Sequence, residues 1–418
     1  VLTAACGSTK HPEADSPAPG HSTPGEDMTA SEDMASGEGM VSGEGTAAHE
    51  GTAAGSIDFG VRVFRALVRE EPDSNIFVSP TSLAFALGMV YPGAEGETRD
   101  ELSALLGVGA SDVDVFNEWN AALLAAIVDT EADAELSVAN SIWIRDGLPV
   151  DRGFVRRNEE HYRAVVRVRD FVDPATVAEI NAWVSEETRG RIDRIIQTID
   201  PLDVMFLINA VYFKGAWSEP FDPELTREEP FHLEGGGTRM VPMMKASGSQ
   251  RYTRGDGYEA VDLPYGNGAF SATFVLPTEG GALADLRARL DEQQWTTLVG
   301  GLGESRLDLV VPRFRLEYEQ ELSEVLQAMG MQSAFVPGGA DFTGMSASQG
   351  EDLYLSSVLQ KTFVEVNEEG TEAAAATSVG VSVTSLPPTM RIDRPFLFAI
   401  RENFSGAILF IGKVVDPA

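Results

Sequence analysis

Few side chains in this sequence could do chemistry of their own. Among 418 residues there is one cysteine, Cys6, and five histidines. His11, His21, His49, His161 and His232 are scattered, with neither an HExxH pattern nor paired spacing, so no metal site is expected. A lone cysteine excludes an internal disulfide and a cysteine-based metal centre. There is no GxSxG and no glycine-rich phosphate loop carrying a lysine, and no cofactor is implied. Paired Asp and Glu occur as on any acidic surface, and solvated charge accounts for them. What remains is a peptide segment of distinctive composition. Residues 365–396 read EVNEEGTEAAAATSVGVSVTSLPPTMRIDRPF. Alanine is the best helix former, but Gly370 precedes the alanine run and Val, Ser, Thr and Gly follow it. As a strand, the segment places Thr371, Ala373, Ala375, Thr377, Val379 and Val381 on one face. The other face carries Glu372, Ala374, Ala376, Ser378, Gly380 and Ser382, so Glu372 points outward. Small side chains on both faces suit a segment that slides between two existing strands. They also let it live beforehand as an exposed loop without aggregating.

Such a segment needs a sheet to enter. From Ser56 onward Phe59, Val63, Phe64, Leu67 and Val68 recur at helical spacing. Ser79-Pro80 starts a second helix, continued by Leu83, Phe85, Ala86, Leu87 and Met89. Segments 204–213, 259–264, 269–276, 307–314, 353–366 and 405–414 are rich in Val, Ile, Phe and Tyr and are expected to be strands. Helical patterns cluster before about residue 200 and strands dominate after it, which predicts an α+β fold.

Three blocks carry a family resemblance. NIFVSPTSLAFALGMVYPGAEGETRDELSALLG (75–107), FLINAVYFKGAWSEPFDP (206–223) and RPFLFAIRENFSGAILFIGKVVDP (394–417) resemble, in order and spacing, segments of the serpins. Serpins are suicide inhibitors of serine, sometimes cysteine, proteases. The stretch around residue 370 resembles their hinge and reactive-centre loop. The resemblance covers roughly residues 56–418. It implies one large domain: a helix-rich N-terminal part on a large central mixed β-sheet, further C-terminal sheets and an exposed loop. The loop register, counted forward from Glu368-Glu369-Gly370-Thr371 and back from Pro395-Phe396, implies a scissile bond at Thr384–Ser385. Val383–Thr384, one residue earlier, is the alternative. Glu368, Gly370, Thr371, Glu372 and Ala373, Ala374, Ala375 and Ala376 match the hinge. Ser79, Ser82 and Asn209 match a polar cluster beneath the opening strands. The family's usual histidine there is Gln360, which can donate and accept but does not titrate. Trp217 matches the position where the loop first enters, and is grouped with this sheet-opening set.

The resemblance implies a monomer that is no enzyme and that forms a covalent complex with a serine protease. Thr384 is small and β-branched, which fits a shallow elastase-like pocket or a broad subtilisin-like cleft. A non-inhibitory serpin acting as a binding or structural protein is the main rival. A hydrolase is a distant third, lacking its nucleophile motif.

The net charge of −34, from 31 basic and 65 acidic residues, argues against nucleic-acid binding, which needs clustered Lys and Arg. The basic residues are mostly Arg, consistent with genomic composition or adaptation to salt, the first being the simpler account. No apolar run is long enough to span a membrane. Residues 7–55 are a low-complexity acidic stretch expected to be disordered. Val-Leu-Thr-Ala-Ala before Cys6 resembles the end of a lipoprotein signal, although Thr3 stands where an apolar residue is preferred. On that basis residues 1–55 are expected to be a signal remnant and tether. Cys6 would be the lipidation site and sole membrane contact, and the protein would be extracytoplasmic, secreted or cell-surface.

Overall fold

The computed structural model describes residues 43–108, 113–129, 134–371 and 387–418, with backbone only for 43–54. Gly43–Ala418 form one compact unit. In chain order the helices are α1 (Gly43–Glu70), α2 (Pro80–Val90), α3 (Gly96–Leu106), α4 (Val113–Val128), α5 (Arg152–Tyr162), α6 (Ala175–Glu187), α7 (Leu283–Arg289), α8 (Glu292–Gly300) and α9 (Ser323–Ala328). The early strands are β1 (Ile76–Val78), β2 (Ala134–Arg145), β3 (Val165–Arg169) and β4 (Met205–Ala216). The middle strands are β5 (Arg227–His232), β6 (Thr238–Gly255), β7 (Tyr258–Tyr265), β8 (Phe270–Pro277), β9 (Gly303–Pro312) and β10 (Phe314–Glu321). The last are β11 (Ser357–Val366), β12 (Gly370–Thr371), β13 (Thr389–Arg391), β14 (Phe396–Glu402) and β15 (Ile408–Val414).

Two sheets result. One runs β10-β11-β4-β2-β3, with β12 added against β4. The other runs β1-β15-β14-β8-β7-β6-β9-β13, with β5 on β6. β4 is the axis of the first sheet. It is antiparallel to β2 along its whole length and parallel to β11 from Phe206–Ser357 to Tyr212–Phe363. Both of its faces are buried, so it is apolar nearly throughout. Met205, Leu207, Val211 and Phe213 join the main core with α2. Phe206, Ile208, Ala210 and Tyr212 face a second core built with Ile180 and Val184 of α6 and Ile192, Ile195 and Ile196 beyond it.

Several expectations change. α1 begins at Gly43, inside the stretch expected to be disordered. Ala47, Ala48, Ala53 and Ala54 extend a helix already nucleated by the packed turns after them. The single strand expected over 307–314 is two, because the chain passes from one sheet to the other at Arg313. Pro312 has no N–H for the ladder and ends β9. The strand expected from residue 353 starts at Ser357, after a 3-10 turn at Gly350–Asp352. The one expected from 405 starts at Ile408, because the Glu402 carboxylate accepts the Phe404 and Ser405 N–H groups in a tight turn. β2, in the helix-rich half, was not anticipated.

Candidate functional site: hinge and seam

After β11 the chain reverses. Asn367 and Gly370 exchange backbone hydrogen bonds, and Asn367 Oδ1 accepts from the N–H groups of Glu369 and Gly370 at 3.0 and 3.2 Å. Gly370 sits at φ +145°, a region open to glycine, and a Cβ there would lie 2.1 Å from the Gly215 carbonyl oxygen. The turn sends Gly370 and Thr371 back against β4, opposite Ala216 and Gly215. Thr371 is fully buried, its hydroxyl 2.8 Å from that of Tyr265. Burial pushes the Tyr265 phenol far above its usual range, so it stays a neutral hydrogen-bonding group.

The segment after β4 grips this turn. Trp217 donates from its backbone to Glu369 O (3.0 Å) and from its indole to Asn367 O (2.9 Å). The Phe221 N–H donates to Glu368 O at 2.8 Å. The Trp217 ring stacks on Tyr265 at 4.4 Å, 12° from parallel. The Glu368 side chain turns inward to accept from Thr226 (2.7 Å) and from Arg313 (2.5 and 2.6 Å). Burial opposes its ionisation, but the hydrogen bonds from Thr226 and Arg313 outweigh that and hold its carboxyl below the usual carboxylate range.

Further down β4 lies a row of three amides. Asn140 of β2, Asn209 of β4 and Gln360 of β11 are cross-strand neighbours. Gln360 Nε2 donates to Asn209 Oδ1 (2.6 Å) and to Ser79 O (2.9 Å), and its Oε1 accepts the Ser79 N–H (2.9 Å). Asn209 Nδ2 donates to Ser82 Oγ and to Asn140 Oδ1. The Ser79 hydroxyl donates to Leu409 O. All of these side chains are buried. The row therefore ties α2 to the β4–β11 seam with neutral groups, and nothing in it titrates near neutral pH.

Ser79, Ser82, Asn209 and Gln360 thus meet beneath the β4–β11 seam. Trp217 does not join them; it lies past the end of β4, at the hinge, because only there does the chain leave the sheet and free an indole N–H to reach the turn. Asn140, Tyr265, Thr226 and Arg313 were missed; only the alternation of β2 and β4 could have pointed to Asn140. Glu372, Ala373, Ala374, Ala375, Ala376, Thr384, Ser385 and Cys6 lie outside the described residues. Beyond the loop, Pro388 O accepts the Asp308 N–H, and β13 pairs with β9 in parallel. The segment between Thr371 and Pro387 is therefore anchored at one end to the first sheet and at the other to the second. Among the described residues no group of three or more potential metal ligands occurs, and no helix is long and apolar enough to cross a membrane.

The comparisons with known proteins agree with this geometry. The family profile described as Serpin (serine protease inhibitor) matches residues 54–417. Glia-derived nexin of Mus musculus is 37% identical over 369 residues, covering 86% of this chain and 91% of that protein. An uncharacterized serpin-like protein of Thermococcus kodakarensis is 35% identical over 353 residues, 82% of this chain and 81% of its own. Among solved structures, the native thermophilic serpin tengpin superposes with a TM-score of 0.81 at 31% identity, covering 87% of this chain and 94% of its own. Thyroxine-binding globulin in complex with its ligand gives 0.82 at 30%, covering 89% and 100%. With its two-sheet architecture, the hinge turned in beside β4 and these likenesses along most of its length, the chain belongs to the serpin family.

Proposed function

We propose that this serpin is a suicide inhibitor of serine endopeptidases, cut at Thr384–Ser385, whose freed loop enters the seam between β4 and β11. The observation that carries this is the hairpin at Asn367–Gly370, which already pairs Gly370 and Thr371 with β4. Continuing that register sets Ala373 opposite Phe213, Ala375 opposite Val211, Thr377 opposite Asn209, Val379 opposite Leu207 and Val381 opposite Met205. On the β11 side the Asn367–Gly370 bridge extends to Thr377 opposite Gln360. The residues bound for the main core are small or β-branched. Those bound for the α6 side are Ala374, Ala376, Ser378 and Gly380, opposite Tyr212, Ala210, Ile208 and Phe206. Glu372, at the rim, comes opposite Lys214, which suits its charge.

The chemistry belongs to the protease. Its serine oxygen attacks the Thr384 carbonyl carbon, the bond to the Ser385 nitrogen breaks, and Thr384 is left as an ester on the enzyme. The released segment adds as a strand; serpin loop insertion is an established case of such addition. One parallel interface, β4–β11, is exchanged for two antiparallel ones. The protease is carried along before water can cleave the ester. The intact fold is then a kinetic trap, held by the covalent closure of the loop. The small Thr384 favours elastase-like or subtilisin-like targets. Relatives include proteins named as inhibitors, such as plasminogen activator inhibitor 1 of Sus scrofa, at 33% identity. The likeness to thyroxine-binding globulin supports a second reading, a carrier whose loop traps nothing. We further assign a lipid to Cys6 and an extracytoplasmic site to the monomeric protein. Mass spectrometry of the mature N-terminus and light scattering test these.

A panel of elastase-like, subtilisin-like and trypsin-like proteases, run with the protein on denaturing gels, decides between inhibitor and carrier. A complex that survives denaturation supports inhibition. Loop cleavage by every protease, with full protease activity retained, refutes it.

A further inference from the structure

A cleft lies directly behind the hinge. β6 pairs with β7 only from Arg251 onward, while its preceding residues pair with β9, so the two strands diverge at Gln250 and Leu263. The segment Trp217–Phe221 closes the wedge, leaving a cavity of about 240 Å³. Trp217, Phe221 and Leu263 are its apolar lining. Gln250 also lines it, is only 8% exposed, and its carboxamide makes no hydrogen bond with any described residue. That carboxamide is presented to the open side of the cleft, free to donate to or accept from a bound molecule.

The charges around the cleft choose the partner. Its one lining guanidinium, Arg251, is engaged by Asp262 at 3.4 Å, and Asp262 is also held by Arg401 at 2.9 Å. The carboxylates of Glu219 and Glu304 line the same cleft, and neither forms an ion pair among the described residues; Glu304 accepts only the Ser249 hydroxyl. Two aromatic rings, an amide free of protein partners and two carboxylates facing one guanidinium suit a ring carrying a positive charge. We infer that this cleft is a binding site for a small aromatic cation, with Gln250 accepting from the ligand and Glu304 and Glu219 facing its charge.

The site is placed to act on the hinge, since Trp217 and Phe221 supply three hydrogen bonds to the Asn367–Glu369 turn. Occupancy is expected to hold that turn in place and slow release of the loop. This effect rests on the insertion mechanism proposed above; binding itself does not, and is measured on uncut protein.

The probes are tryptamine, neutral indole and anionic indole-3-acetate, titrated by calorimetry and by saturation-transfer NMR. Tryptamine should bind about tenfold tighter than indole, and indole-3-acetate weakest. Glu304→Gln, an exposed change, and Gln250→Leu should each weaken tryptamine about fivefold or more, with unchanged melting of the ligand-free protein. Absence of tryptamine binding, equal binding of all three probes, or two folded variants that bind like the parent overturns the site. Tryptamine binding as stated without any change in the yield of trapped protease overturns only the link to the hinge.

Discussion

Thr377→Val isolates the seam. In the intact protein β4 and β11 are in contact at Asn209 and Gln360, so Thr377 cannot yet stand between them, and the change should leave intact melting unaltered. In the cut protein the extended register puts Thr377 between those two residues. Opening the seam breaks the 2.6 Å bond from Gln360 Nε2 to Asn209 Oδ1. Asn209 keeps Ser82 and Asn140 through its Nδ2, and Gln360 keeps both bonds to Ser79. What is left unpaired is the Asn209 oxygen and one Gln360 N–H. A threonine hydroxyl can donate to the first and accept from the second; valine, of nearly the same shape, can do neither. Each group left buried and unpaired costs about 1–3 kcal/mol. That cost falls on the inserted state alone and should lower the melting temperature of the cut form by a few °C. If it is felt as the strand enters, insertion slows about tenfold per 1.4 kcal/mol, and more protease escapes by hydrolysis. Melting of intact and nicked protein at one scan rate, together with the moles of inhibitor consumed per mole of protease, gives both numbers. Thr377→Ser, which keeps the hydroxyl, should behave as wild type. If nicked Thr377→Val melts with nicked wild type, or if Thr377→Ser falls as far, the register is wrong.

Loop cleavage of the wild type should raise its melting temperature, where a nick in an ordinary loop leaves stability equal or lower; a nicked form melting at or below the intact one would show that the loop stays out. Thr371→Arg should convert inhibitor to substrate, because a charge buried without a partner costs about 3–5 kcal/mol. Thr371 is already buried beside Tyr265, so the intact variant should also show its hinge released, as a change in Trp217 fluorescence; unchanged stoichiometry and fluorescence would place residue 371 elsewhere. Thr384→Arg should redirect inhibition to trypsin-like enzymes, and the peptide released from the wild type should begin at Ser385; any other N-terminus moves the scissile bond. The depressed Glu368 carboxyl means that its tie to Arg313 and Thr226 is intact above the ordinary glutamate value and is lost as pH falls through its lower folded value. Hinge release should therefore appear only in that acidic window and be abolished as a transition in Glu368→Gln. A transition near pH 6 to 7 would point to a histidine, which the seam lacks.

The inserting segment was legible because its requirements are compositional. Small residues on alternate positions after Gly370 are visible in one dimension, whereas Ser79, Ser82, Asn209 and Gln360 were singled out only by the resemblance to the serpins. The partners that fix the hinge were not. Glu368 meets Arg313 and Thr226 only because the chain changes sheets at Arg313, and Thr371 meets Tyr265 only through β4. Such contacts depend on strand order, which alternation does not encode. Trp217 shares a sequence block with Asn209, yet β4 keeps Asn209 mid-strand and carries Trp217 past its end to the turn at Asn367–Glu369. The α1 start shows the converse, an acidic Gly- and Ala-containing tail drawn into helix by the packed turns that follow it.

The contact between Gly370 and Gly215 bears on how this protein tolerates mutation. A side chain at residue 370 would collide with backbone, not with a movable group. The cheapest relief is for two residues to leave the edge of β4, while both cores stay as they are. A variant such as Gly370→Val should therefore express, fold and resist proteolysis outside the loop like its parent, yet fail to trap a protease. A mutational library sorted for abundance would score this position as permissive, and one sorted for trapping would score it as intolerant. Selection on this glycine is thus invisible to any screen that reads only whether the chain folds.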